Sequence, residues 1–163
     1  MFLTAYDAND NYVSSQSVIV PWPCAHDYFF DAQFDICPSV AAVTTWAAEQ
    51  PFQYGRMIWL EQAQTGGTVM QSQILVFYDD GKYEQYEDTW TDAEPESDPA
   101  IVPPAGLYQP ARGFGKLWRE NPSVRDRLGW ATALEQGFDT QLQGQIRESI
   151  PAVAFVRTLD GQV

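Results

Sequence analysis

Between positions 56 and 90 the chain reads as strands, and in the last two of three runs apolar and polar residues alternate with a period of two, the mark of half-buried strands. The runs are "RMIWLEQ" (56–62), "QSQILVFYDD" (71–80) and "KYEQYEDTW" (82–90), separated by Gly66-Gly67 and by an Asp80-Gly81 turn. Ile74, Val76 and Tyr78 point one way, which predicts an antiparallel three-stranded meander. A further hairpin is predicted at the start, where residues 2–6 and 12–20 are β-branched and aromatic runs around the polar turn "DANDN", ended by Pro21 and Pro23. Helical spacing replaces alternation in "VAAVTTWAAEQPF" (40–52), where Ser39 as N-cap and Pro51 as terminator predict a short helix. A second helix is predicted from Pro122 to Leu128: Asn121 caps the free amides, Pro122 suits the first turn and Gly129 stops it. Val124 and Leu128 share its buried face, with Arg125, Asp126 and Arg127 outside it. Residues 91–104, "TDAEPESDPAIVPP", predict an extended acidic loop that divides the chain in two. The expected fold class is α+β, predominantly β, with short helices on small antiparallel meanders. Residues 1–22 form a hairpin segment in this reading and 23–163 a single module.

An internal echo suggests two imperfect helix-plus-hairpin units. "WAAEQPFQYGRMIW" from Trp46 and "WATALEQGFDTQLQGQI" from Trp130 both run Trp-Ala, Glu-Gln, Phe and Gly into a β-like stretch, and continue to the Asp-Gly pairs at 80–81 and 160–161. "LGWATALEQ" with "QLQGQI", and "QPFQYGRMIW" in the first unit, resemble the bacterial LGFP repeat, with Ala131 in place of the family's Pro and Leu142 in place of its Phe. The longer stretch through "PPAGLYQPARGFGKLWRENPSVRDRLGWATALEQGF" is similar to a module of secreted bacterial proteins. "LTAYDANDNYVSSQSVIV" resembles the last two strands of bacterial immunoglobulin-like domains, so the hairpin must complete another sheet, in this chain or in an oligomer. These resemblances imply an extracytoplasmic, non-catalytic module of cell-envelope attachment, with a cell-wall glycan or another surface protein as partner.

Charge narrows the partners. The chain carries −13, and residues 1–111 hold sixteen acids against Arg56 and Lys82, whereas 112–163 hold six acids against seven bases. Such a surface repels phosphate backbones, so no nucleic acid partner is expected. The one basic cluster is Arg112, Lys116, Arg119, Arg125 and Arg127, which is expected chiefly to pair with the acidic half, with an anionic wall polymer as the alternative. No stretch approaches the roughly 20 apolar residues of a spanning helix, and the first twenty residues lack a signal peptide's basic start and apolar run, so no membrane insertion is expected.

The only two cysteines, Cys24 and Cys37, are expected to form a disulfide, which fits an extracellular or envelope setting; free buried thiols, or zinc on Cys24, His26 and Cys37, are the alternatives. With one histidine and no G-x-S-x-G elbow, a serine or cysteine hydrolase has no machinery. A carboxylate-based glycosidase would draw on Glu49, Asp79, Asp80, Glu87, Asp88 and Glu135, but these acids form no motif and the chain is read as a non-enzyme without cofactor. Weak calcium candidates are Asp79, Asp80 and Asp88, without the ordered spacing of a calcium loop. Aromatic side chains are the stronger signal, since their faces suit sugar rings. Trp46, Trp59, Trp118 and Trp130 are expected in the core, leaving Trp22, Trp90, Tyr83, Tyr86 and Tyr108 as surface binding candidates.

Overall fold

The computed structural model describes residues 2–17, 24–32, 37–65, 68–147 and 150–163. The N-terminal hairpin forms as a sheet of its own, β1 (Phe2–Tyr6) against β2 (Tyr12–Ser17), turning on Asp7, whose carboxylate accepts from the amides of Asn9 and Asn11. Residues 3–17 are all exposed.

The body is one antiparallel sheet of six strands: β3 (Val43–Phe52), β4 (Gly55–Thr65), β5 (Thr68–Tyr78), β6 (Tyr83–Glu87), β7 (Gln136–Arg147) and β8 (Ile150–Val156), in the order β6-β5-β4-β3-β7-β8. The predicted meander is β4-β5-β6, and its Asp80-Gly81 turn is present, with Gly81 donating to the Tyr78 carbonyl. The Gly66-Gly67 turn lies outside the described residues.

The helix expected over 40–52 is instead the central strand β3, paired with β4 on one side and β7 on the other. A central strand is covered on both faces, so its apolar positions run together and imitate a helical stripe. Ala47 and Glu49 are buried on one face, Ala48, Gln50 and Phe52 on the other, and the β-branched Val43, Thr44 and Thr45 suit the extended backbone. Pro51 is tolerated because the β7 ladder ends at Glu49 paired with Gln136; beyond that point Pro51 only accepts, from the Thr132 amide.

This correction removes the two helix-plus-hairpin units. The loop at 91–104 has no strand or helix, as expected, yet it does not divide the chain, because β7 beyond it pairs with β3 before it. Both helices precede β7 and cover one face of the sheet. They are α1 (Arg112–Glu120), which the sequence pattern did not predict, and α2 (Pro122–Leu128), which forms as expected with the Asn121 side chain accepting from the Val124 amide and Gly129 as C-cap at φ 72°. Phe114, Trp118, Val124 and Leu128 pack there against Met57, Ile74, Val76 and Tyr78, and the Trp118 indole donates to the Gly129 carbonyl at 2.8 Å.

Ala47, Ile58, Leu60 and Leu142 form a second apolar cluster on the other face. The segment around Cys24 adjoins β7 and β8 through Gln143, which donates to the Asp27 and Val40 carbonyls and accepts from Phe29, and through its cross-strand partner Phe155, which meets the rings of Tyr28 and Phe30. A disulfide joins Cys24 to Cys37, which excludes free thiols and the zinc set. No helix among the described residues is long and apolar enough to cross a membrane.

Candidate functional site

On the helix-bearing side, the exposed end of β3 leaves a cleft of about 420 Å³. Trp46 and Ala48 of β3 and Trp59 of β4 lie on the same sheet face, because Ala48 pairs with Trp59 and Trp46 is two positions away. Gly137 of β7 pairs with Ala48 on that same face, and its missing side chain makes room for the Trp46 indole: a β-carbon at 137 would stand 2.7 Å from Cζ2 of Trp46. Trp46, expected in the core, is 47 % exposed.

The opposite wall comes from the end of β6 and the start of α1. Asp88 and Trp90 follow β6, with the Trp90 amide donating to the Asp88 carboxylate at 3.0 Å. Arg112, Gly113 and Phe114 open α1, and Gly113 is again a close approach, since a β-carbon there would lie 2.6 Å from an Asp88 oxygen. The carboxylate thus sits against the first turn of the helix, where the aligned peptide dipoles favour negative charge. Glu135, just before β7, completes the lining. Burial raises its pKa above the carboxylate range; the Arg112 charge opposes this, and the nearby Asp88 and Glu96 charges reinforce it. The indole N–H groups of Trp59 and Trp90 are buried without an acceptor. Arg112 itself is held at φ 50°, a left-handed backbone that costs a non-glycine residue about 1–2 kcal/mol.

The basic cluster explains how this wall is held. Lys116 bonds the Glu94 carboxylate at 2.7 Å and the Thr89 carbonyl at 3.0 Å, Arg112 pairs with Glu96 at 3.1 Å, and Arg119 reaches the Glu96 carbonyl. Three bases of α1 therefore fasten to the helix the acidic loop that directly follows Trp90. Lys116 holds the Glu94 carboxyl below its ordinary range. Farther along, Arg127 of α2 lies 3.4 Å above the Tyr78 ring and pairs with Glu84 at 2.8 Å and Asp80 at 3.4 Å. Glu84 also accepts from the hydroxyls of Tyr78 and Tyr86, which keeps its pKa low and pushes that of Tyr78 up, the latter mainly through burial. Arg125 pairs with its neighbour Asp126 and lies over Trp118.

The four aromatic candidates among the described residues are not brought together. Trp90 lines the cleft; Tyr86 is tied into the Glu84 network; Tyr83 is exposed on the other sheet face, stacked on Phe77; Tyr108 is exposed beside its bridge to Ala131; Trp22 lies outside the described residues. Of the six acids considered for glycosidase chemistry, Asp88 and Glu135 share the cleft, while Glu49 is buried and committed to Arg56 and the Leu159 amide. The calcium candidates are separated as well: Asp80 is engaged by Arg127 and Lys82, and Asp88 belongs to the cleft. Among the described residues no group of three or more His, Cys, Asp or Glu is disposed to hold a metal.

Trp46 and Trp59, expected in the core, were the aromatic members that pattern reading did not assign to a site. Reading 43–52 as a strand would have put Trp46 and Ala48 on one face. A separate, more apolar groove of about 550 Å³ lies on the opposite sheet face, lined by Leu60, Leu75, Phe77, Leu142 and Phe155. No protein-family model matches this chain, and no match is found among curated proteins or solved structures.

Proposed function

We propose that this chain is a non-catalytic, extracytoplasmic attachment module that binds a cell-wall glycan in the cleft of Trp46, Trp59 and Trp90. The observation that carries this reading is the convergence of three indoles from different elements on one cleft that also contains carboxylates. Aromatic faces take the apolar faces of pyranose rings, and carboxylates accept from their hydroxyls. The disulfide and the LGFP-like motifs support the extracytoplasmic setting. Retention on purified bacterial cell walls or on a glycan array tests it. Wild type should be retained and Trp46→Ala lost to the wash, and failure of wild type to bind any glycan refutes the reading. No new reducing ends should appear during incubation with the bound glycan, since their appearance would make Asp88 and Glu135 a hydrolytic pair.

The β1-β2 hairpin, exposed at residues 3–17, favours a second reading, a structural subunit of a surface assembly, in which the hairpin adds its open edge to a partner's sheet. A stable oligomer on size exclusion, lost on deletion of residues 1–17, alongside absent glycan retention, would favour it.

A further inference from the structure

We infer that the cleft selects saccharides bearing a free ammonium group, the de-N-acetylated amino sugars, over neutral or carboxylated ones. This rests on the reading of the cleft as a saccharide site and adds the chemical class of its ligand.

The charges around the cleft favour a cation. Asp88 and Glu135 line it, and its one base, Arg112, has its guanidinium Nε bonded to Glu96 at 3.1 Å. Asp92 also acts on Arg112, so the nearby charge is net negative. An incoming carboxylate would compete with Glu96 for Arg112 and face Asp88 and Glu135 directly. An ammonium group meets the reverse situation, since it has two carboxylates to receive it. The walls add to this, because the face of an indole attracts a cation and does so more strongly than any other side-chain ring. Glu135 is the residue most changed by such a ligand. Burial and the charges of Asp88 and Glu96 disfavour its ionised form, and a neighbouring ammonium offsets all three. Lys116, one turn farther along α1, is turned to Glu94 and Thr89, and Asp139, the cross-strand partner of Trp46, adds a further acid on that sheet face. At longer range the −13 chain draws cationic oligomers and repels polyanions, which sets the encounter rate in the same direction.

Isothermal titration with N-acetylglucosamine tetramer, its fully de-N-acetylated counterpart and a tetragalacturonate, at about pH 6 where a free amine is protonated, separates the cases. The free-amine tetramer should bind at least about tenfold more tightly than the acetylated one, the scale of one charge-assisted contact. Glu135→Gln should remove most of that advantage, read as the ratio of the two affinities measured on the same variant, since loss of a hydroxyl contact weakens both tetramers alike and cancels in the ratio. Equal or tighter binding of the acetylated or uronic oligomer overturns the selection and leaves the saccharide reading standing. A preference that survives in Glu135→Gln overturns the role of Glu135. If wild type binds none of the three and is not retained by any glycan on the array, both the selection and the saccharide reading fall.

Discussion

Gly137→Ala puts a single methyl group where the Trp46 indole now lies. The added carbon would stand 2.7 Å from Cζ2 and 3.4 Å from Cε2 and Cη2 of Trp46. Carbon contacts settle at about 3.5–4.0 Å, so the ring must move by about 1 Å. Two terms decide the stability. Replacing a strand glycine by alanine gains about 0.5–1 kcal/mol through the unfolded chain. Overpacking costs about 1–3 kcal/mol where the neighbour is trapped. Trp46 is 47 % exposed, so it swings outward and escapes most of that cost. The net change is therefore expected within about 1 kcal/mol of zero. Binding should respond differently, because the displaced indole is a wall of the cleft, and affinity for a retained glycan is expected to fall by about tenfold or more. Denaturant unfolding gives the stability, and glycan titration gives the affinity. Acrylamide quenching, taken as a difference against Trp46→Phe, follows the ring. Destabilisation beyond about 3 kcal/mol would show that the ring is trapped, and unchanged quenching with unchanged affinity would show that Gly137 does not position it.

Burial holds the folded-state pKa of Glu135 above its ordinary value of 4.5, so its contribution to stability is full below 4.5 and is lost as pH rises through the folded value. Glu135→Gln should therefore have the higher Tm at neutral pH, with the gap closing below pH 4.5, and a variant less stable at neutral pH contradicts this assignment. Replacing Cys24 and Cys37 together by serine opens a loop of sequence separation 13 and should cost about 3 kcal/mol in denaturant unfolding; a change under about 1 kcal/mol would show that the loop is already ordered when unfolded. Asn121→Ala removes the cap on Val124 and should cost about 1 kcal/mol, with Asn121→Asp restoring most of it. Lys116→Gln should leave Tm within about 1 kcal/mol equivalent yet raise hydrogen exchange at residues 89–94, and unchanged exchange there would mean that Lys116 does not fasten the Trp90 loop.

What the sequence determined by itself was the local structure whose causes lie within a few residues. The β1-β2 hairpin follows from the Asp7 turn, the β4-β5-β6 meander from period-two alternation, and α2 from Asn121, Pro122 and Gly129, each a short-range preference that tertiary contacts did not override. The pairing of Cys24 with Cys37 was legible because no other partner exists. Residues 43–52 went the other way: the pattern expected of a strand assumes one wet face, and only the arrival of β7 beside β3, across more than eighty residues of chain, covers the second. Helix α1 was hidden for a related reason, since it contains two glycines and its Ala111 N-cap makes no side-chain bond; Phe114 and Trp118 fix it by packing on the sheet. The cleft depends on the same long-range pairing. Trp46, Trp59, Trp90, Arg112 and Glu135 lie on five separate stretches, and no spacing along the chain encodes their meeting. The composition supplied the tryptophans and acids, and the strand order decided which of them face one another.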